Sequence, residues 1–132
     1  MAWSAVDRAR VRHAEAENLS FRQGDVLHLP DGLEGRYDLI TIMDTLYYLP
    51  DASDAALDKV ADRVAGLLAP GGVCVLSDHL FIGGWDRATR LSRRIHRAFA
   101  RSARLSMLLS DWRPFFQTTL LTLSAPINKA MT

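Results

Sequence analysis

Two stretches of the chain decide its fold, Tyr37-Asp-Leu-Ile-Thr-Ile-Met-Asp-Thr-Leu-Tyr-Tyr-Leu49 and Leu68-Ala-Pro-Gly-Gly-Val-Cys-Val-Leu-Ser-Asp78. Each contains a short, nearly continuous apolar run with β-branched residues, at 39–43 and at 73–76. Such runs are typical of strands that are buried on both faces, as in parallel sheets. The apolar residues between them recur at helical spacing, at positions 57, 60, 61, 64, 67 and 68. The pattern therefore predicts an α/β fold built on a right-handed βαβ unit.

The ends of these elements carry signals for turns and for a site. Asp51 is the predicted N-cap of the helix, and the Pro-Gly-Gly sequence at 70–72 ends it. Asp44 and Asp78 follow the two predicted strands. Open α/β sheets bind ligands beyond the carboxyl ends of their strands, so these acidic residues predict a binding site at that edge.

The rest of the chain predicts two more helices and two more strands. Helical composition and spacing favour the helices, whereas apolar–polar alternation and threonine- and aromatic-rich sequence favour the strands. These helices and strands are predicted at 5–17, 19–22, 86–104 and 115–124. The Ile-Gly-Gly-Trp sequence at 82–85 predicts a loop, and residues 126–132 are predicted to form a short tail.

The composition is that of one soluble globular domain. The chain has 132 residues, of which 48% are hydrophobic and 23% are charged. It contains no apolar run near the roughly 20 residues that span a bilayer. Its first residues lack the apolar core of a signal peptide, so we expect a cytoplasmic protein without a membrane partner. Cys74 is the only cysteine, which rules out an internal disulfide and a thiolate metal site, and its apolar surroundings predict a buried thiol.

Charge is distributed unevenly along the chain. Residues 1–84 carry 7 basic and 13 acidic side chains, whereas residues 85–132 carry 9 basic and 2 acidic ones. Either the two halves attract each other, or the basic half faces an anionic ligand.

Most of the basic residues lie in the predicted second long helix: Arg87, Arg90, Arg93, Arg94, Arg97, Arg101 and Arg104. A solvated helix face is the usual meaning of such a run. An anionic substrate or carrier protein is the second reading, and nucleic acid is third because no stacking aromatics are interleaved with the arginines.

Four segments, taken in order, resemble the class I S-adenosylmethionine-dependent methyltransferases, especially the nodulation protein S type of small-molecule methyltransferase. The segments are 21–26, 37–49, 68–73 and 113–121. They are similar to the third strand, the fourth strand with its motif, the entry to the fifth strand, and the closing strand of that family. The resemblance covers about residues 5–125 and implies a partial Rossmann-like methyltransferase sheet with flanking helices. We therefore expect an incomplete methyltransferase domain at 1–125, followed by the tail at 126–132.

The resemblance also implies that part of the family's fold is missing. Family members begin with a strand, a glycine-rich loop, a helix and a second strand, and none of these is found in the 132 residues. We therefore expect a truncated chain whose first two strands are missing. Their loss leaves a gap of two strand positions, roughly 14 Å at ~4.8 Å per step. The predicted strand at 19–22 shifts across that gap, or a partner chain covers the exposed sheet edge, or the segment is poorly ordered.

The resemblance implies S-adenosylmethionine as the cofactor, held in part by Gly24, Asp25 and Val26. A carboxylate such as Asp25 can accept a hydrogen bond from an adenine amino group, which is the family's use of the matching acid. The alternative for Asp25 is a turn aspartate that bonds its own backbone. Val26 and Leu27 line the adenine pocket or simply pack in the core.

Asp44, Tyr47 and His79 are the candidate catalytic residues. In the family, the position of Asp44 lies near the cofactor's sulfur and the substrate, although Asp44 could instead cap the following turn. Tyr47 and Tyr48 offer aromatic faces to a sulfonium or an amine, or else belong to the core. His79 ends the second predicted strand together with Asp78, and an imidazole can accept a proton near neutral pH. We expect no metal site, because no second histidine or acid lies at ligand spacing from His79 in the sequence.

The function implied by the resemblance is transfer of a methyl group from S-adenosylmethionine to nitrogen or oxygen of a small molecule. The alternative is a non-catalytic methyltransferase-like remnant that acts as a binding module, which the missing glycine-rich loop favours. The presence of Asp25, Asp44 and the Tyr47–Tyr48 pair favours the enzyme.

Overall fold

The computed structural model describes residues 4–81 and 85–125, so the predicted tail and most of the predicted loop at 82–85 lie outside the described residues. Within these ranges the helices and strands alternate and then end in a hairpin. They are α1 (Ala5–Arg12), β1 (Tyr37–Met43), α2 (Asp54–Leu67), β2 (Leu68–His79), α3 (Arg87–Arg101), β3 (Leu105–Arg113) and β4 (Phe116–Leu123). Two short 3-10 turns, Val26–His28 and Leu46–Tyr48, lie before β1 and after it.

The strands form one four-stranded sheet in the order β1-β2-β4-β3. β1 and β2 are parallel, whereas β4 runs antiparallel to both β2 and β3. The predicted βαβ unit is therefore confirmed, with α2 as its crossover helix. The N-cap of α2 is Ser53 rather than the predicted Asp51, because the Ser53 hydroxyl accepts from the Ala56 N–H at 3.2 Å. Asp51 lies two residues earlier and accepts from the Ser53 N–H at 2.8 Å.

One face of the sheet is covered by α2 and α3, and the core lies in that layer. The fully buried apolar side chains come from both helices and from β2 and β4: Leu57, Val60, Ala61, Cys74, Leu76, Ile95, Ala98, Phe99 and Leu121. Alternation along β2 sends Cys74, Leu76 and Asp78 into this layer, while Ser77 and His79 lie on the opposite face. Burial raises the pKa of the Cys74 thiol to about 12, which confirms the expectation of a buried cysteine.

Ion pairs between α2 and α3 explain much of the uneven charge. Arg94 lies 2.9 Å from the Asp54 carboxylate, and Arg101 lies 2.7 Å from that of Asp58. The hydrogen bond from Arg94, and then its charge, lowers the pKa of Asp54. The acidic and basic parts of the chain are thus bound to each other along these helices. Since the groups are exposed, solvent screens each pair and its contribution to stability is small.

The first part of the chain differs most from its prediction. Residues 19–22 form no strand, although they alternate in polarity, because no neighbouring strand supplies a hydrogen-bonding partner to them in the described sheet. α1 ends at Arg12 rather than at residue 17, and its N-cap is Ser4, whose hydroxyl accepts from the Asp7 N–H. No residue of α1 is buried, so the helix rests on local contacts.

The sheet also contains a strand that the sequence does not predict. β3 follows α3, which ends at Arg101 rather than near residue 104, and a turn at 114–115 joins β3 to β4. β3 is an edge strand whose side chains are mostly exposed, so its sequence lacks the apolar alternation that identifies a half-buried strand. The predicted last strand is confirmed as β4.

The other edge of the sheet is β1, which pairs with β2 and with no other strand of the described ranges. Its Leu39 and Met43 side chains are exposed on the face that the helices leave open. The prediction of an exposed sheet edge is met at this strand. None of the helices in the described ranges is long and apolar enough to cross a membrane.

Gly72 offers a test of the β1–β2 junction. A Cβ atom at this position would lie 2.7 Å from the Tyr37 carbonyl oxygen and 2.9 Å from that of Ala69. Both are backbone atoms that cannot rotate away, so we expect Gly72→Ala to lower the free energy of unfolding by about 1–3 kcal/mol in urea titrations. The matched control is Gly66→Ala in α2, where the nearest atoms belong to the flexible Arg104 side chain at 3.5 Å. That change should be neutral or stabilising, and equal losses for the two variants would contradict the prediction.

Candidate active site

The structure brings two of the predicted residues, Asp44 and His79, into direct contact at the carboxyl ends of β1 and β2. The strand register places Met43 opposite Ser77, and the Asp44 N–H continues the ladder by donating to the Ser77 carbonyl at 3.0 Å. The Asp44 carboxylate then accepts from the His79 backbone N–H at 2.8 Å, and its second oxygen contacts His79 Nδ1. Asp44 therefore does not cap the following 3-10 turn, which was the alternative role.

The backbone at Asp44 is unusual. Its φ is +50°, and it is the only non-glycine residue with positive φ in the described ranges. The left-handed conformation costs on the order of 1 kcal/mol for a residue with a Cβ. The hydrogen bonds to Ser77 and His79 hold Asp44 in this conformation. The left-handed backbone conformation directs the Asp44 carboxylate toward β2, where the carboxylate contacts the His79 imidazole.

His79 presents a ring nitrogen, Nε2, that has no hydrogen-bond partner among residues 4–81 and 85–125. Since the carboxylate of Asp44 can only accept, we assign the proton of the neutral imidazole to Nδ1, which leaves the lone pair on Nε2. The side chain is 66% exposed, and its ring meets that of Phe116 edge-on with centroids 6.0 Å apart. The arrangement is that of an oriented general base, in which a carboxylate fixes the ring and stabilises the imidazolium that forms.

Tyr47 and Tyr48 lie in the 3-10 turn that follows Asp44. Their rings are 4.5 Å apart and tilted by 51°, with Tyr47 packed against the core and Tyr48 77% exposed. Tyr47 therefore belongs to the core, whereas Tyr48 leaves its aromatic face exposed, so each of the two alternatives holds for one of the tyrosines. Burial raises the pKa of Tyr47 to about 12, with added contributions from the hydrogen bond to Tyr48 and from the charge of Asp44.

The phenol of Tyr47 should resist ionisation. We expect absorbance at the phenolate band to show a step, assigned to Tyr47, that occurs only toward pH 12. Because its folded pKa lies above the unfolded value of 10.0, this group's contribution to stability is complete below pH 10 and is lost as the pH rises toward 12. Tyr47→Phe should remove the late step and flatten the decline of stability over that range. A late step that survives in Tyr47→Phe would refute the assignment.

Asp25 occupies a turn rather than the end of a strand. Its carboxylate accepts from the Leu27 N–H at 2.9 Å and contacts His28 Nδ1 at 2.8 Å. The Leu27 hydrogen bond first, and then that from His28, lowers the pKa of Asp25. These hydrogen bonds are local, so the turn role considered for Asp25 is the one observed, and none of them joins Asp25 to Asp44. Two oxygens can accept more than two hydrogen bonds, and the exposed carboxylate therefore retains acceptor capacity for an amino group.

Gly24 and Val26 flank Asp25. Val26 is partly buried and packs against the core. A Cβ atom at Gly24 would meet only the Leu29 side chain at 3.6 Å, which is an ordinary contact. The structure therefore gives no steric reason for glycine at this position, and any requirement for it would come from a bound ligand.

The prediction that Asp78 lies at a binding site together with Asp44 is wrong, because Asp78 is buried beneath the sheet beside His96. Asp78 and His96 are almost completely buried, with Asp78 Oδ2 3.3 Å from His96 Nε2. His96 Nδ1 also contacts the Thr119 hydroxyl at 2.7 Å. Neither oxygen of Asp78 has a well-formed hydrogen bond to the described residues. The alternation of β2 could have indicated this, because Asp78 must face the side opposite to His79.

No group of three or more histidine, cysteine or acidic side chains converges to hold a metal ion within residues 4–81 and 85–125. The Asp44–His79 contact supplies two such groups. The sequence indicated both residues as candidates but not their contact, since they are 35 positions apart.

Comparison with known proteins identifies the family. The family model described as "Methyltransferase domain" matches residues 3–115, and the chain belongs to this family. A curated relative, the ubiquinone biosynthesis O-methyltransferase of Psychrobacter cryohalolentis, is 36% identical over 74 residues. That match covers 53% of this chain and 27% of the relative, so the chain spans only about a quarter of the curated relative's length.

Solved structures of other proteins share the fold. The N-methyltransferase NodS from Bradyrhizobium japonicum superposes with a TM-score of 0.70 at 19% identity, covering 92% of this chain and 68% of NodS. A second NodS structure contains S-adenosyl-L-homocysteine. The PH0226 protein from Pyrococcus horikoshii superposes with a TM-score of 0.63 at 12% identity, covering 90% of this chain and 66% of PH0226. The likeness supports the predicted partial Rossmann-like sheet with its flanking helices.

Proposed function

We propose that this chain acts in the S-adenosylmethionine-dependent transfer of a methyl group to nitrogen or oxygen of a small molecule, with residues 1–125 as the methyltransferase domain. The observation that carries the proposal is the contact between Asp44 and His79 at the carboxyl edge of two parallel strands, in a chain of the methyltransferase family. This edge is where open α/β sheets bind their ligands.

Asp25 is the proposed contact for the adenine amino group, with Gly24 and Val26 beside it. The remaining acceptor capacity of its exposed carboxylate supports this role. Asp44 is proposed to lie near the cofactor's sulfur, where its negative charge favours a sulfonium. When bound, S-adenosylmethionine supplies an activated methyl group, so that little further chemical activation is needed.

The proposed task of the chain's own residues is to align the acceptor and to remove its proton. Alignment of two reactants can supply most of the rate enhancement in such a reaction. His79 Nε2 takes the proton, Asp44 steadies the imidazolium, and the Tyr48 ring offers an aromatic surface beside them.

Isothermal titration of the full chain with S-adenosylhomocysteine tests the cofactor proposal. We expect saturable binding that weakens about tenfold or more in Asp25→Asn, because a hydrogen bond to a charged group is worth ~1.5–3 kcal/mol. The matched control is Asp31→Asn, which changes an exposed acid in the next loop and should leave binding unchanged. Absence of binding at millimolar ligand would refute the proposal for this chain.

A second candidate function is that of a non-catalytic methyltransferase-like module whose partner chain covers the β1 edge. The open edge with exposed Leu39 favours it, since unpaired strand edges readily accept another strand. This function predicts that β1 amides exchange rapidly in the isolated chain and become protected as a partner binds. Slow exchange throughout β1 in the isolated monomer would count against it.

A further inference from the structure

The outward face of α3 carries a row of arginines, of which only some are paired with acids. At 3.6 residues per turn, these arginines lie within about 120° of the helix circumference, on the side away from the residues that α3 buries. This arginine stripe consists of Arg87, Arg90, Arg93, Arg94, Arg97 and Arg101. We infer that the part of the stripe that α2 leaves unpaired is a docking surface for an acidic helix of a partner protein. The inference goes beyond the proposed methyl transfer and uses no residue of the candidate active site.

The α2 side of the arginine stripe shows which chemistry it binds. Arg94 lies 2.9 Å from the carboxylate of Asp54. Seven residues later, Arg101 lies 2.7 Å from that of Asp58, which is one turn after Asp54 on α2. The planar guanidinium donors match the geometry of a carboxylate. An acidic helix beside α3 is therefore a kind of partner that the stripe already binds within the chain.

The outward side repeats this arrangement without its acids. Arg90 and Arg97 are also seven residues apart, and each precedes one of the α2-bound arginines by four residues. Residues four apart are neighbours on a helix surface, so this pair lies beside the bound pair, one turn earlier. Both side chains are exposed, and neither forms an ion pair with an acid of residues 4–81 and 85–125. Arg90 donates to a backbone carbonyl, that of Trp85, which does not neutralise its charge.

The local charge balance also favours an acidic partner. Asp86 is the one acid between residues 79 and 110 of the sequence, and its carboxylate accepts from the Thr89 N–H at the start of α3. The next acid along the chain, Asp111, is paired with Arg113. The single charge of Asp86 thus stands against the four arginines that α2 does not bind, at positions 87, 90, 93 and 97. Acidic and basic surfaces attract each other within about a Debye length, which speeds association and fixes orientation.

The third side of the arginine stripe borders exposed apolar residues of β3. The Arg93 guanidinium lies 4.9 Å from the centre of the Trp112 ring, which belongs to a side chain that is 53% exposed. Leu108, at the bulge of β3, is 57% exposed. Arginine and tryptophan are enriched among the residues that contribute most to protein interfaces, whereas single-stranded nucleic acid would need aromatic rings between the arginines. The surface therefore favours a protein partner over a nucleic acid.

Binding of acidic probes to the full chain in about 0.1 M salt tests the inference. The main probe is a fluorescently labelled helical peptide of about 20 residues that carries glutamates four residues apart along one face, and anisotropy reports its binding. The comparison probes are the same peptide with glutamine in place of each glutamate, a single-stranded DNA of the same length, and vesicles of phosphatidylglycerol. We expect the glutamate peptide to bind most tightly and the glutamine peptide to bind about tenfold more weakly or less. Arg90→Gln, Arg97→Gln should weaken binding of the glutamate peptide about tenfold, because two ion pairs are lost.

The matched control is Arg8→Gln, Arg12→Gln, which removes the same charge from two exposed arginines that are four residues apart on α1. It should change the affinity by less than about twofold. Arg90→Lys, Arg97→Lys keeps both charges and should retain more of the affinity than the glutamine variant, whereas damage to the fold at α3 would weaken both variants alike. Equal binding of the two peptides, equal weakening by the α1 variant, or no binding of the glutamate peptide at about 1 mM would each overturn the inference. Tighter binding of the DNA or of the vesicles would also overturn it and would assign the arginine stripe to that partner instead.

Discussion

His96→Leu is expected to lower the free energy of unfolding by about 3–5 kcal/mol, because it leaves Asp78 buried without its polar neighbour. Leucine fills a similar volume, so the loss comes mainly from the carboxyl group of Asp78, which is left buried without His96. The Thr119 hydroxyl also loses its 2.7 Å contact with His96 and keeps only a 3.4 Å contact with Ser110. Urea unfolding followed by far-ultraviolet circular dichroism measures the loss.

Removing both members of the pair should cost less than removing His96 alone. In the double variant Asp78→Leu, His96→Leu no carboxyl group remains to be desolvated, so part of the loss is recovered. The exposed His13 provides the matched control, and His13→Leu should change stability by no more than about 0.5 kcal/mol. If the double variant were less stable than His96→Leu by the full cost of a second independent substitution, the two groups would not be coupled.

Phe99→Ala is expected to destabilise the fold by a similar amount, about 3–5 kcal/mol. Phe99 is the largest fully buried side chain in the described ranges, and it lies on α3 within the core layer. Its removal forfeits the burial of a whole aromatic ring and leaves a cavity between rigid elements. The midpoint of chemical denaturation should fall, whereas the slope should stay unchanged if the transition remains two-state.

Leu108→Ala is the control for this cavity, since Leu108 lies on β3 and is 57% exposed. It removes a large apolar side chain without opening a hole, so its effect should stay within about 0.5 kcal/mol. A loss in Phe99→Ala no greater than that in Leu108→Ala would mean that α3 is not packed on the sheet as described.

The parts of the fold that sequence could predict are those in which burial dictates the pattern. β2 has a continuous apolar run near Cys74, although only its helix-facing side chains are fully buried, and α2 presents one apolar face, so residue order alone reveals both elements. β3 was not predicted because an exposed edge strand needs no apolar pattern. Residues 19–22 have the alternation of a strand, but a strand also needs a neighbour to bond with, and sequence does not show whether one is present.

The candidate site could be predicted residue by residue but not as a unit. Asp44 and His79 were each indicated by their position after an apolar run. Their contact depends on the register of β1 and β2 and on the left-handed backbone at Asp44, neither of which is visible in the order of residues. Asp78 and His96 form the reverse case, since Asp78 was predicted to lie at a binding site on the sheet edge and is instead buried beside His96.

The strand order β1-β2-β4-β3 has a consequence for how the chain is made. β4 comes last along the described chain, yet it lies between β2 and β3, and its Leu121 completes the buried layer. During translation, a nascent chain whose α3 and β3 have left the ribosome still lacks β4, the strand with which β3 pairs. Its core also lacks the side chains that β4 contributes. The sheet can close only after β4 has left the ribosome, so the folding of this sheet has to wait for the synthesis of residues 116–123.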